Sequence, residues 1–253
     1  MMLRSINELN GYPIEGSEGK LGKTKNFLFD DQKWGVRYLV VDTGGWLRER
    51  KVLISPRNLT SPDYSKHFPV KLTRAQLEGG PTLEDSAPVS KKYEDEYARY
   101  HQHAPYWNGS GLWGAGAYPH AEITPSPPSP AAKKDHEKVL TKIEDWHLRS
   151  SNEVIGYNIA ATDGEIGHVE DVILDTRSWR IRYFVINTRN WLPGRKLLVD
   201  VDWIQGISWQ TADVVVEMTK AQIKDSPQFD PREAVNRGYE EQLYDYYGRP
   251  RYW

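Results

Sequence analysis

Cysteine is absent from this 253-residue chain. That excludes disulfides, thiolate nucleophiles and cysteine-ligated zinc. Phenylalanine is scarce, 5 residues against 10 Trp and 15 Tyr, so the aromatic content is amphipathic and suited to partly exposed packing and interfaces. Long apolar runs are missing as well. No stretch approaches the roughly 20 apolar residues of a membrane-spanning helix, and mean hydropathy is -0.70. Residues 1–6 lack the apolar centre of a secretory signal. These absences lead us to expect a cytoplasmic protein without membrane insertion. An excess of charge of one sign is also lacking: the formal net charge is -2, which gives no overall pull toward nucleic acid or anionic lipid. What is present, 38% hydrophobic and 27% charged residues, suits soluble globular domains, and the length fits one large or two small ones.

An internal repeat decides between those two. Leu3-Arg4-Ser5 matches Leu148-Arg149-Ser150, a displacement of 145 (148 − 3) that persists without a gap to Ile54 and Val199. Along it Gly11-Tyr12 matches Gly156-Tyr157, Gly19 and Gly22 match Gly164 and Gly167, and Asp30 and Trp34 match Asp175 and Trp179. Arg37-Tyr38 matches Arg182-Tyr183, and Trp46-Leu47 and Arg50-Lys51 match Trp191-Leu192 and Arg195-Lys196. Farther on the displacement is 146 (219 − 73): Thr73 to Gln76 match Thr219 to Gln222, Tyr93-Glu94 matches Tyr239-Glu240, and Tyr106-Trp107 matches Tyr252-Trp253. The organisation read from this is a first repeat over 3–107, a linker over 108–147 and a second repeat over 148–253. The linker opens on Asn108-Gly109-Ser110-Gly111 and runs through a proline-rich stretch at 124–130, a flexible start followed by an extended spacer. A short helix is expected over 134–146.

Within the second repeat, Asp163-Gly164 is a hairpin turn signal. Residues 166–174 and 179–187 read as strands, the latter apolar on both faces. Further strands are expected over 195–201, 204–207 and 213–218. Thr219 reads as the N-cap of a helix over 220–224, and amphipathic helices are expected to close each repeat. Five or six short strands in so few residues indicate a small antiparallel barrel. The fold class is therefore mainly β: two tandem small antiparallel barrels with short helices and aromatic tails, each tail packing back on a barrel.

The pattern resembles the PRC-barrel family, whose fold is that of the cytoplasmic domain of the photosynthetic reaction centre H subunit; the ribosome maturation factor RimM carries a related domain. The residues that carry the resemblance are Gly156-Tyr157, Asp163 to Gly167, Trp179 to Thr188, Trp191 and Gly194 to Val199, with Gly19 to Gly22, Trp34 to Thr43 and Arg50 to Ile54 in the first copy. The resemblance implies an interaction or assembly role, with a protein partner or self-association. RNA or ribosome association, by similarity to RimM, is the alternative, and association with a photosynthetic complex a weaker one.

No catalytic constellation emerges. The seven histidines are scattered, and neither a nucleophile elbow nor a phosphate-binding glycine loop is present. His101-Gln102-His103, with His120, has the ligand chemistry for a metal, but its counterparts Tyr247 and Arg249 do not. We therefore expect neither metal nor cofactor and no enzyme activity, and we read the histidines as part of a solvated tail. The acids Glu94, Asp95, Glu96, Glu240 and Glu241 read as solvated helix faces. Arg37 and Arg182, in mid-strand, are expected to pair with an acid such as Asp30 or Asp175. The candidate interaction residues are Trp46, Arg50 and Lys51 with Trp191, Arg195 and Lys196, because tryptophan beside cations anchors protein interfaces and also stacks on single-stranded RNA. The competing reading of these tryptophans is a cap over the open end of each barrel.

Overall fold

The computed structural model describes residues 2–47, 51–60, 66–84, 88–120, 148–188 and 194–253. The first copy contains β1 (Leu3–Ser5), α1 (Ile6–Leu9), β2 (Pro13–Gly16), β3 (Gly19–Asp30), β4 (Val36–Asp42), β5 (Val52–Ile54), β6 (Phe68–Pro69), α2 (Arg74–Glu78) and α3 (Lys91–Tyr100). The second contains β7 (Leu148–Ser150), α4 (Ser151–Val154), β8 (Asn158–Ala161), β9 (Gly164–Asp175), β10 (Arg180–Asn187), β11 (Lys196–Asp200), β12 (Ile204–Ser208), β13 (Asp213–Val216), α5 (Lys220–Lys224) and α6 (Arg237–Tyr247). A 3-10 turn follows β5 at Pro56–Asn58 and β11 at Val201–Trp203.

The chain divides into two compact units whose limits differ from those of the repeats. One consists of Asn10–Arg149 with Arg177–Trp179, and the other of Met1–Leu9, Ser150–Thr176 and Arg180–Trp253. We call them the first-copy and second-copy units. In the first-copy unit the strand order is β5-β4-β3-β2-β6, and β7 adds to β3. In the second-copy unit the order is β11-β10-β9-β8-β13-β12, and β1 adds to β9 with Leu3 opposite Asp175 and Ser5 opposite Ile173. Each sheet thus takes its added strand from the start of the other copy. The first unit also receives the turn residue Trp179, whose ring packs 5.8 Å from Phe68 and 6.4 Å from Phe27. The pairing is not antiparallel throughout, as the sequence suggested: β2 with β6 and β8 with β13 run parallel.

The long strands β3 and β9 follow a common burial pattern. Their first residues alternate or are exposed and their last four are buried, as expected of a strand that leaves a hairpin and enters a core covered on both faces. A glycine is required near the start of each. A Cβ on Gly22 would run into the carbonyl oxygen of Asp42, and one on Gly167 into that of Asn187. The β3–β4 and β9–β10 turns both hold a tryptophan in the left-handed region, Trp34 at φ 60 and Trp179 at φ 59, a conformation rare for bulky side chains. Asp30 fixes the first turn by accepting the backbone N–H of Gln32 and Lys33. The short helices are capped alike in both copies, with reciprocal capping boxes Thr73/Gln76 on α2 and Thr219/Gln222 on α5.

Residues 108–118, assigned by the sequence to the linker, belong to the packed first-copy unit. Trp113 is only 1% exposed, and its indole N–H donates to the Ser178 carbonyl at 2.7 Å. The Lys33 ammonium donates to the carbonyls of Gly109 at 3.2 Å and Gly111 at 2.9 Å. The glycines that read as flexible spacer allow close backbone approach here: Gly111 lies against the backbone of Gly114 and Gly116. The proline-rich stretch and the helix expected over 134–146 lie outside the described residues.

Candidate functional site

Each aromatic tail returns to the barrel of its own copy and encloses a carboxylate. In the first-copy unit, α3 buries Tyr93 and Tyr97 against Leu28, Tyr38, Val40 and Leu53. The next position on that face is Glu94, 4% exposed. Its carboxylate accepts from the Tyr106 hydroxyl at 2.8 Å and from Lys91 at 3.0 Å. Arg37 lies over the Tyr106 ring at 3.8 Å, and Lys91 over the Trp107 ring at 3.4 Å. Burial raises the Glu94 pKa, opposed by Lys91 and Tyr106, and burial lowers that of Lys91, opposed by Glu94. A buried charge is tolerated only when paired in this way.

The second-copy unit repeats the arrangement at the matched positions. Glu240, 1% exposed, accepts from the Tyr252 hydroxyl at 2.6 Å and the Tyr183 hydroxyl at 2.7 Å, and pairs with Arg237 at 3.1 Å. Arg182 lies over the Tyr252 ring at 3.8 Å and Arg237 over the Trp253 ring at 3.9 Å. The expectation that Glu94, Asp95 and Glu240 lie on solvated faces is corrected here: all three are buried. Spacing along the helix alone could not reveal this, because the burying groups come from tails more than ten residues farther on. The signal was the conservation between the copies of Arg37, Glu94, Tyr106 and Trp107, with Lys91 matched by Arg237.

Arg37 pairs with Asp30 as expected, Nε to Oδ2 at 2.7 Å, and also donates to the Leu112 carbonyl at 2.6 Å. A cavity of ≈ 20 Å³ remains among Arg37, Tyr38, Glu94, Tyr106 and Trp113, enough for about one water. Arg182 stacks on Tyr252 as Arg37 does on Tyr106, but its Nε is buried and unbonded where that of Arg37 donates to Asp30.

The candidate interaction residues fall in three places. Trp46 is half-buried, its indole N–H donating to the Leu21 carbonyl at 2.9 Å while Arg74 of α2 approaches its ring at 5.3 Å. Lys51 enters β5, its backbone N–H bonded to the Leu83 carbonyl. Arg195 donates to the carbonyls of Lys224, the last residue of α5, and of Ser226 just after it, and Lys196 pairs with Glu170 at 2.5 Å. Arg50 and Trp191 lie outside the described residues.

His101, His103 and His120 line one open groove of ≈ 960 Å³, together with Arg57, Lys71, Gln76 and Tyr100. Among the described residues no three His, Asp or Glu side chains are grouped as a metal set. The histidine tail is not simply solvated, because the rings of His101 and His103 stack at 5.7 Å and His101 packs 4.3 Å from Tyr97. Burial lowers the pKa of His101 to about 4, and burial together with His101, Arg57 and Lys71 lowers that of His103 to about 3.

No described helix is long and apolar enough to cross a membrane. The family model of the PRC-barrel domain matches residues 1–66 and again 148–223. No curated protein matches the chain.

Proposed function

Because the chain belongs to the PRC-barrel family, matched in both of its copies, we propose that it is a non-enzymatic assembly scaffold holding a protein partner through an aromatic and cationic face present once on each copy. The observation that carries this reading is the setting of Trp46. Its N–H is tied to β3, which fixes the ring, and the exposed Arg74 lies against it. A rigid tryptophan beside a cation is the composition of an interface anchor. The second copy has Trp191 and Lys220 at the matched positions. On α6 of that copy Tyr246 is exposed, and its hydroxyl donates to the Gln222 carbonyl of α5 at 2.6 Å. Two copies of one face let a partner with two sites bind more tightly than either face alone, through effective concentration. Arg50, Lys51, Arg195 and Lys196 are the cations that follow the two tryptophans in the sequence.

The test is affinity purification of the tagged chain from its host, with and without nuclease. Protein partners that survive nuclease and are lost with Arg74→Glu support the scaffold. Partners that disappear with nuclease, ribosomal proteins above all, would replace it with the RNA-associated reading.

A further inference from the structure

The groove lined by the three histidines belongs to the first-copy unit alone, and the duplication supplies an internal control for its charge. Arg57 sits on the 3-10 turn after β5, where Ser55 accepts the Arg57 N–H; on the matching turn, Asp200 accepts the Asp202 N–H. The counterpart of Arg57 is therefore Asp202, and Asp202 pairs with Arg180 at 2.5 Å. Lys71 is matched by Glu217 and His103 by Arg249 (217 − 71 = 249 − 103 = 146), and these two counterparts pair with each other at 2.7 Å. The second copy thus has an acid at both positions where the first copy has a fixed cation, and both acids are neutralised by an arginine. In the first copy both carboxylates are replaced, and no described residue lining the groove is an acid.

We infer that this groove is a binding site for a phosphate-bearing ligand, with Arg57 and Lys71 as its fixed charges and His103 and His120 completing the anion contacts. This inference goes beyond the scaffold reading and uses a different face. Arg57 is pre-oriented, since its guanidinium donates to the Trp113 carbonyl at 2.8 Å and lies 5.5 Å over the Trp113 ring. A held guanidinium suits phosphate geometry, and a lysine ammonium in the same groove adds a point charge. Lys71 is exposed at the open side, where a ligand reaches it without strain. Asn58, Thr60, Gln76 and Gln102 add neutral polar groups to the lining. At ≈ 960 Å³ the groove exceeds what one phosphate fills and falls within the range of small-molecule sites. The stacked His101 and His103 and the exposed Tyr100 offer ring faces at the same place. Burial above all, and Arg57 and Lys71 with it, disfavour the imidazolium of His103 and His120, so these rings meet the anion as neutral N–H donors.

The experiment is titration calorimetry of the full chain at low salt with inorganic tripolyphosphate, adenosine triphosphate and a short single-stranded oligonucleotide. The variants are Lys71→Glu, which installs the second copy's residue, and Lys25→Glu, an equal charge change at an exposed position on β3. Binding of tripolyphosphate or adenosine triphosphate that falls tenfold or more in Lys71→Glu, and stays unchanged in Lys25→Glu, is the expected result. Equal affinity for those two probes assigns recognition to the phosphate chain, and tighter binding of adenosine triphosphate adds the rings; either supports the site. Absence of binding by both, binding of the oligonucleotide alone, or equal loss in both variants overturns it.

Discussion

Removal of residues 248–253 tests the packing of the aromatic tail. The truncation takes away Tyr252 and Trp253. Glu240, 1% exposed, then keeps Tyr183 and Arg237 but loses the Tyr252 hydroxyl at 2.6 Å. Arg182 and Arg237 lose the rings they face at 3.8 and 3.9 Å. A hydrogen bond to a charged group contributes about 1.5–3 kcal/mol, and each cation–ring contact about 0.5–2 kcal/mol. Water entering the vacated space offsets part of the loss, leaving a net destabilisation on the order of 3 kcal/mol. For a unit of this size each kcal/mol lowers the melting temperature by about 4–8 °C. The second-copy unit should therefore melt roughly 12–24 °C lower. Scanning calorimetry reads this, with the first-copy unit and its intact Tyr106 and Trp107 as reference. Tyr252→Phe, which removes only the hydroxyl, should give about half the effect. A transition that stays within about 2 °C of the full chain would refute the reasoning, since it would mean that neither the carboxylate nor the stacked arginines depend on the tail.

Trp179→Ala should destabilise the first-copy unit by about 3–5 kcal/mol, although the residue lies in the second repeat, because its buried ring packs on Phe27 and Phe68; hydrogen exchange on β3 and β4 reads it. Gly167→Ala should cost the second-copy unit roughly 3 kcal/mol in urea unfolding, since the added methyl meets the Asn187 carbonyl. Burial raises the Asp200 pKa to about 6, so the folded chain holds a proton there that the unfolded chain releases near pH 4. Stability should therefore fall as pH rises from about 4 to 6, by up to roughly 3 kcal/mol. In Asp200→Asn that component disappears, and the urea midpoint measured against pH should be flatter than for the unmodified chain.

Strands and caps were legible because they rest on local chemistry. The turn at Asp163-Gly164, the strand over 180–187 and the capped helix after Thr219 each announce themselves within a few residues. The exchanged strands were not legible. Leu3-Arg4-Ser5 and Leu148-Arg149-Ser150 are identical in sequence, so nothing local tells which β-strand each will join. The burial of Glu94 and Glu240 was hidden for a related reason: a carboxylate on a helix reads as solvated until the returning tyrosine and the mid-strand arginine are placed above it. Trp46 showed itself by recurrence as Trp191, yet its tether to Leu21 and the approach of Arg74 depend on the tertiary arrangement. The groove was concealed by reading His101 and His103 as metal ligands or idle tail. The telling signal was the matched pair of sign changes, Arg57 for Asp202 and Lys71 for Glu217.

The scaffold reading is tested most directly by comparing partner capture by the full chain with capture by Trp46→Ala, Trp191→Ala and the double variant, alongside Arg74→Glu as an exposed substitution that leaves the core intact. The account predicts that each single variant retains weakened capture, that the double variant loses it, and that Arg74→Glu weakens it as Trp46→Ala does, all with unchanged far-ultraviolet circular dichroism. Full capture by a folded double variant would contradict it.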